Sequence, residues 1–226
     1  RVFILCNPHN PTGRVYRRDE LEKFAEICLR HDVIIVSDEI HCDILYDDRK
    51  HIPIAGLSKE ISDVTITLQA PSKTYNIAGL HTSVAIIQNE ELRQRYNASK
   101  AGLVGTPCIL GMYAAKAAYE HGDAWLQAQL AYLQANRDLI DEALQTDLKP
   151  IKWAKPEATF LAWLDCRDLG VEGSMQEFFL DRAKVGFNDG PEFGEVGQGF
   201  VRLNFGTTRA NIQLAIEKMK AAIESL

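Results

Sequence analysis

The first part of the chain alternates short apolar runs with segments in which apolar residues recur at helical spacing. Val2–Cys6 is an apolar run that ends in a turn-rich segment at residues 7–13, and residues 33–36 form a second run. Runs at 64–68 and 83–87 predict two further strands. The apolar positions between the first two runs share one helix face: Leu21, Phe24, Ala25, Cys28 and Leu29. This alternation predicts an α/β fold with a mostly parallel sheet, buried on both faces and flanked by helices.

The second part of the chain is predicted to be helical first and mixed afterwards. Residues 90–146 favour helices that are interrupted at Pro107 and Gly122, and the last helix is predicted to be long and amphipathic. Beyond Pro150, short strands mix with helices, which is typical of an α+β domain. We therefore predict part of a large α/β domain at residues 1–140 and a smaller α+β domain at residues 141–226.

Composition excludes several classes of protein. The 226 residues are 46% hydrophobic, enough for a substantial core, and the net charge of −6 argues against a nucleic-acid partner. The five cysteines have no CxxC spacing, which favours a reducing cytoplasm without disulfides. No apolar run has transmembrane length, and no metal-ligand spacing is present, so we expect no membrane partner and no metal site.

The start of the chain carries its own prediction. The sequence begins at Arg1, without a methionine, and enters an apolar strand at once. Because a natural N-terminus seldom lies inside a core strand, we expect a C-terminal fragment whose preceding elements are absent. In this interpretation the first strand, Val2–Cys6, is buried.

Three polar residues fall just after predicted strands, where ligands of parallel sheets collect. Lys73 lies among small and apolar residues, and desolvation favours a neutral, nucleophilic amine. Asp38 follows the second apolar run and has the charge to pair with a pyridinium nitrogen. Asn10 has an amide that can donate to a phenolate oxygen. Each also has a plainer interpretation: a surface lysine, a capping aspartate and a turn asparagine.

A fourth candidate, Arg202, lies inside an apolar strand. A buried guanidinium cannot neutralise itself, so it needs an anionic partner. A substrate carboxylate bound by both ends of the guanidinium would satisfy it. An internal salt bridge would satisfy it equally, and the sequence leaves both open.

Taken in order, these motifs resemble one enzyme superfamily along the whole chain. The motifs are Asn10-Pro11-Thr12-Gly13, Asp38-Glu39-Ile40-His41, Ser72-Lys73 with Gly79-Leu80, and Phe200-Val201-Arg202-Leu203-Asn204-Phe205. They are similar to those of the fold-type I pyridoxal phosphate (PLP) enzymes, the aminotransferase class I/II superfamily. The resemblance implies that Lys73 holds PLP as a Schiff base and moves protons, and that Asp38 pairs with the pyridine nitrogen. It further implies that Asn10 binds the ring oxygen and Arg202 the substrate carboxylate.

Two departures point to one branch of this superfamily. His41 stands where many aminotransferases have a tyrosine that contacts the ring oxygen, and His81 stands where they usually have a phosphate-binding arginine. Ser72 is an additional candidate phosphate ligand. Together with residues 187–194 and 202–209, these departures resemble the cystathionine β-lyase, or C–S lyase, branch. The implied partner is a small amino-acid substrate.

The resemblance leaves three functions open. The first is β-elimination from cystathionine or a cysteine S-conjugate to pyruvate, ammonia and a thiol. The second is transamination of an amino acid by the same residues. The third is a PLP-sensing regulatory module without catalysis. The resemblance also implies a homodimer for the full-length protein, and we expect the 226-residue polypeptide alone to be inactive.

Overall fold

Four strands form the first sheet of the protein, in the order β1-β2-β3-β4. The computed structural model describes residues 1–100 and 102–226. The strands are β1 (Val2–Cys6), β2 (Ile34–Asp38), β3 (Thr65–Gln69) and β4 (Val84–Ile86). The first three run parallel, and β4 is antiparallel to β3. The predicted mixed α/β class with a parallel-rich sheet is confirmed.

The first helix and those from residue 90 onward agree with the hydrophobic pattern, whereas the short helices at Lys59–Asp63 and Pro71–Thr74 were not predicted. The longest matches the predicted long amphipathic helix at its Trp125–Leu144 positions. In chain order they are α1 (Arg18–Arg30), α2 (Lys59–Asp63), α3 (Pro71–Thr74), α4 (Glu90–Lys100), α5 (Ile109–His121) and α6 (Asp123–Thr146).

The two faces of the first sheet pack against different helices. Because side chains alternate along a strand, Leu5 and Ile35 point to one face and pack with Leu21 of α1 and Ile61 of α2. On the opposite face, Ile66 packs with Leu92 of α4 and with Ile87, and partly buried Ile34, Val36 and Leu68 border this second cluster. Asp38 lies on the same face as Val36, because it follows Val36 by two positions in β2.

The prediction that β1 is buried on both faces is wrong for one of them. Val2 is 59% exposed and Ile4 is 71% exposed. Both point to the face that carries α4, and the apolar cluster around Ile66 and Leu92 includes no residue of β1 among the described residues. An apolar run in the sequence reports what a strand is able to bury, and here only the Leu5 face is covered.

A second sheet is antiparallel and lies in the second part of the chain. Its order is β5-β6-β8-β7. The strands are β5 (Lys152–Trp153), β6 (Leu161–Asp165), β7 (Asn188–Asp189) and β8 (Phe200–Asn204). The helices are α7 (Met175–Phe178), which continues into a π-turn at Phe179–Ala183, and α8 (Arg209–Glu224). The mixture of short strands and helices is the one that the sequence predicts.

The chain divides into two compact units that are not continuous in sequence. Unit 1 comprises Arg1–Pro8 and Val15–Ala128, and unit 2 comprises His9–Arg14 and Gln129–Leu226. The division passes through α6. The domain boundary near residue 140 also falls in this helix and stays a prediction.

Three further findings concern the described residues as a whole. All five cysteines are free thiols. In residues 1–100 and 102–226, no helix has both the length and the apolar character to cross a bilayer. The same residues contain no group of three or more His, Cys, Asp or Glu side chains arranged to hold a metal ion.

Candidate functional site

Asp38 is the last residue of β2 and lies at the edge of a cavity of about 720 Å³ in unit 1. Its Oδ1 atom accepts a hydrogen bond from the backbone N–H of Ile40 at 3.3 Å, which orients the carboxylate. Residues of α4 also line the cavity, among them the cationic Arg93 and Lys100. His81 lines the same cavity. The structure therefore brings two of the sequence-predicted residues, Asp38 and His81, to one opening at the carboxyl end of a parallel strand.

Lys73 occupies a short helical turn directly after β3. Pro71 opens the turn at a position where a helix needs no N–H donor, so α3 starts at once beyond the strand. Lys73 is half-buried, and among the described residues its ammonium group has no hydrogen bond or ion pair. It lines a second cavity of about 370 Å³ together with Ser72 and His81. Its side chain is therefore free to contact a ligand that enters the cavity.

His81 links the two openings. It lies in the lining of both cavities, as does Ser83. Its backbone has a left-handed conformation, with φ of 48°, at the end of a 3-10 turn at Ala78–Leu80. The side chain of His81 is exposed, which suits a contact with a ligand at the mouth of either cavity.

His41 differs from the other predicted contacts. Its side chain is buried, and it is not among the residues that line either cavity in the described part of the chain. It lies in the loop between β2 and the 3-10 turn at Ile54–Gly56. This loop is tied to the Lys73 turn, because the hydroxyl of Thr74 donates to the carboxylate of Asp43 at 3.1 Å. Sequence reasoning missed Asp43, whose partner is 31 positions away.

A buried carboxylate, Glu39, was also missed. It follows Asp38 directly, but it points to the other side of the sheet because side chains alternate. Its oxygens are bonded by the Ser37 hydroxyl and by the imidazole of His51, both at 2.8 Å. The alternation of Ser37, Asp38 and Glu39 after an apolar run was a usable signal, since a carboxylate on the covered face needs a partner.

In unit 2, Arg202 of β8 is bound by two amide side chains. Its Nη1 donates to Oδ1 of Asn10 and its Nη2 to Oδ1 of Asn188, each at 2.8 Å. No carboxylate lies within ion-pair distance of it among the described residues, so the internal salt bridge that the sequence left open is not formed there. Burial lowers the pKa of Arg202, and the negative charge of Glu192 partly opposes this effect.

The charge of Arg202 is therefore not neutralised by its protein contacts. Both partner oxygens belong to neutral amides, and the Nε atom is buried without a hydrogen-bond partner in the described residues. A buried N–H donor without an acceptor is costly. A carboxylate bound across one edge of the guanidinium would supply both the missing acceptor and the missing charge.

Aromatic rings fix the plane of this guanidinium. Arg202 lies over the ring of Phe193, with 4.7 Å from its Cζ atom to the ring centroid. Phe193 meets Trp163 edge to face at 5.3 Å between centroids, and Trp163 stacks on Phe200 at 5.2 Å. Asn188 and Phe193 were not identified from the sequence. Their only signal in the sequence was their position in the segment at 187–194, which contains no Lys or Arg that would have marked it as an anion site.

The segment that carries Asn10 is anchored to unit 2 by a glycine. Gly13 has φ of +69°, and its carbonyl accepts hydrogen bonds from the N–H groups of Glu157 and Ala158, both at 2.9 Å. A Cβ atom at Gly13 would lie 2.4 Å from Cβ of Pro156. Only glycine permits this approach, and the approach keeps Asn10 within reach of Arg202.

Comparison with known proteins places these motifs in context. Residues 1–219 match the family described as "Aminotransferase class I and II". The protein named cystathionine beta-lyase PatB from Bacillus subtilis is 41% identical over 225 residues, which cover 98% of this chain and 58% of that protein. An aspartate aminotransferase from Pyrococcus abyssi is 29% identical over 231 residues, covering 99% of this chain and 57% of that protein.

Among solved structures, a PLP-bound C–S lyase from Staphylococcus hominis is similar over nearly the whole chain. The TM-score is 0.90 at 38% identity, and the match covers 99% of this chain and 58% of that chain. The chain thus spans less than two thirds of the length of the relatives that it matches.

Proposed function

Because the chain belongs to the class I and II aminotransferase family, we propose that the whole protein is a PLP-dependent C–S β-lyase. Its substrate is cystathionine or another cysteine S-conjugate. In the net reaction, substrate and one water give a thiol, pyruvate and ammonia, as the Cβ–S bond breaks and the Cα–H proton is lost. The observation that carries this proposal over transamination is the higher identity to cystathionine beta-lyase PatB than to the aspartate aminotransferase.

The residues of unit 1 fit this cofactor. Lys73 offers an amine that is engaged by no other described group, and Asp38 offers a carboxylate at the edge of the larger cavity. When bound, PLP supplies an electron sink for negative charge at Cα of the substrate. Asp38 supports this role by holding the proton of the ring nitrogen through its negative charge.

Lys73 has two successive tasks in this proposal. Its amine would hold the cofactor covalently. When not so engaged, the same amine would take the proton from Cα of the substrate as a general base. Its half-buried turn limits the reach of the amine to the adjacent cavity, which suits a proton transfer over a short distance. Ser72 and His81 are the proposed ligands of the phosphate group, and His41 the proposed second contact to the ring oxygen.

In unit 2, Arg202 is proposed to bind the substrate carboxylate and Asn10 the ring oxygen. The hydrogen bond from Arg202 occupies Oδ1 of Asn10, which leaves the amide N–H groups of Asn10 as donors. The unpartnered Nε of Arg202 and its lack of a protein carboxylate support an anionic ligand. The amide oxygens of Asn10 and Asn188 orient the guanidinium without cancelling its charge.

Transamination is the second candidate, because an aspartate aminotransferase is also among the relatives. The same side chains would serve. Lys73 would again be the base that moves the proton, and a keto acid would be needed to complete the turnover. Dependence on a keto acid therefore separates the two reactions.

The test uses the whole protein, expressed from its natural gene. We expect a visible absorbance band of bound cofactor, and release of pyruvate from cystathionine with no keto acid present. Lys73→Ala should abolish both signals, while Lys59→Ala, which removes an exposed lysine paired with Asp63, should leave both unchanged. A band without pyruvate would contradict the lyase and favour the transaminase. Absence of any band would refute the PLP assignment itself.

Two properties of the whole protein complete the proposal: it forms a homodimer and it works in the cytoplasm. Apolar side chains on α5, among them Ile109 and Leu110, are more than half exposed in this chain and suit burial by a partner. Light scattering on the purified whole protein should give twice the mass of one chain. A monomer at micromolar concentration would contradict the dimer.

A further inference from the structure

A buried group of polar side chains lies beneath the candidate cofactor site. Glu39 is fully buried, with 0% of its surface exposed. Its Oε1 accepts from the hydroxyl of Ser37 and its Oε2 is bonded to Nε2 of His51, both at 2.8 Å. None of the three lines either cavity of the site. Ser37 points to the face of β2 opposite to Asp38, and Glu39 and His51 are linked to it in series by hydrogen bonds.

The two ends of this group depend on each other. A carboxylate in the interior is costly unless its oxygens are hydrogen-bonded, and His51 supplies one of the two side-chain contacts of Glu39. The ring of His51 in turn has only this contact, because its Nδ1 atom is buried and has no partner in the described residues. Loss of Glu39 would leave the buried ring of His51 without a side-chain partner, and loss of His51 would leave Oε2 of Glu39 without one.

The contact between them closes a loop. Glu39 and His51 are 12 positions apart and stand at the two ends of the segment between β2 and the 3-10 turn at Ile54–Gly56. The segment begins immediately after Asp38. It also carries Asp43, whose carboxylate accepts from Thr74, the residue next to Lys73. The loop thus connects the end of β2 with the turn that bears Lys73.

We propose that Glu39 and His51 are positioning residues for the cofactor site: their buried contact holds the loop at 39–51 so that Asp38 and the Lys73 turn keep their relative placement. The inference rests on the proposed function, because it concerns the same site. It assigns an effect on cofactor binding to two side chains that line neither cavity of the site. It therefore differs from a purely structural role, which would affect stability alone.

The experiment compares variants of the whole protein expressed from its natural gene. His51→Ala removes the contact, and His51→Gln restores an amide N–H near the place of Nε2. His121→Ala is the matched control, because the side chain of His121 is 78% exposed. Three quantities are measured: the dissociation constant of PLP by equilibrium dialysis, the pH midpoint of the cofactor absorbance band, and the melting temperature without cofactor.

We expect His51→Ala to raise the dissociation constant of PLP by about tenfold and to shift the pH midpoint of the band. His51→Gln should recover most of both values, and His121→Ala should match the natural protein. Should His51→Ala fail to fold, Ser37→Ala provides the same test, since it removes the other side-chain donor to Glu39. Its effect should have the same direction and be smaller.

Two results would overturn the inference. One is a lower melting temperature in His51→Ala and Ser37→Ala with an unchanged dissociation constant and an unchanged pH midpoint, which would mean a structural role only. The other is a His51→Gln variant no better than His51→Ala in cofactor binding. If the natural protein itself has no cofactor band, the proposed function fails, and that outcome is distinct from both.

Discussion

At the scale of single residues, Arg202 shows how a charge can be kept available in a half-buried place. Its guanidinium contacts two amide oxygens and one aromatic face, none of which carries a negative charge. The sequence predicted the need for an anion from the apolar residues on both sides of Arg202. It did not predict the amide of Asn188, because an asparagine 14 positions away has no pattern that marks it as a partner.

Replacement of Arg202 should weaken substrate binding selectively. In the whole protein, Arg202→Lys keeps the charge but loses the planar pair of donors, so kcat/KM for a cysteine S-conjugate should fall by about 10- to 100-fold. Arg30→Lys changes an exposed arginine of α1 and serves as the control. Steady-state kinetics would check this, with the substrate amide in parallel. An equal loss for the amide, which has no carboxylate, would contradict carboxylate recognition by Arg202.

Gly13 gives a prediction about stability. Gly13→Ala places a Cβ atom against Pro156 in a left-handed backbone, so the free energy of unfolding should fall by about 2 to 4 kcal/mol. Gly170→Ala is a matched control, because Gly170 has φ of +65° and, within residues 1–100 and 102–226, no atom lies within 4 Å of the added Cβ. It should cost about 1 kcal/mol, from the backbone conformation alone. Urea unfolding measures both, and equal losses would show that the Pro156 contact is unimportant.

At the scale of elements, the hydrophobic pattern predicted most helices and strands, but it did not predict whether each strand runs parallel or antiparallel to its neighbour. The apolar positions from Leu21 to Leu29, which share one helix face in the sequence, all lie within α1. The antiparallel direction of β4 was not predictable, because apolar residues alternate in the same way in both kinds of strand. Asp38 was expected beyond a strand and is its last residue, since β2 extends two polar residues past its apolar run.

The turn that carries Asn10 should make stability depend on pH. Burial lowers the pKa of His9, and the charge of Arg14 lowers it further. The unfolded chain therefore binds a proton more readily than the folded one. Stability is complete above the ordinary histidine pKa of about 6.5, and it is lost as the pH falls through that value towards the folded pKa.

Asparagine at position 9 should remove this dependence. The free energy of unfolding of His9→Asn, measured in urea between pH 7.5 and 5, should decline less steeply than that of the natural protein. His31→Asn, at an exposed histidine, should decline like the natural protein. The prediction is wrong if His9→Asn and the natural protein give parallel curves.

At the scale of the whole molecule, the apolar surface is the main departure from an ordinary globular chain. Val2 and Ile4 are exposed on β1, and Ile109, Leu110 and Tyr113 are exposed on α5. Scattered apolar residues are normal on surfaces, but contiguous ones mark places where something packs. The chain also spans 58% of the length of cystathionine beta-lyase PatB. The apolar run of β1 predicted a buried strand, and only the structure shows that the face of Val2 and Ile4 is bare.

The polypeptide of residues 1–226 alone should therefore behave differently from the whole protein. We expect it to bind a hydrophobic dye strongly, to bind PLP weakly and to release no pyruvate from cystathionine. Ile4→Ser should lower the dye fluorescence, because it removes an exposed apolar side chain of β1. Ile35→Ser, on the covered face, would unfold the sheet instead and raise the signal. PLP binding as tight as that of the whole protein would refute this prediction.

The six residues from His9 to Arg14 belong to unit 2, although unit 1 both precedes and follows them. Unit 2 is consequently not encoded by one continuous stretch of the gene. A gene fragment that starts at Gln129 would encode unit 2 without residues 9–14. Pro156 and Ala158 would then lose their contacts with Gly13. Recombination between relatives would have to exchange both pieces together. Modular exchange is thus restricted here by the order of the chain, and a shuffled gene that respects only the break after Ala128 should yield insoluble protein.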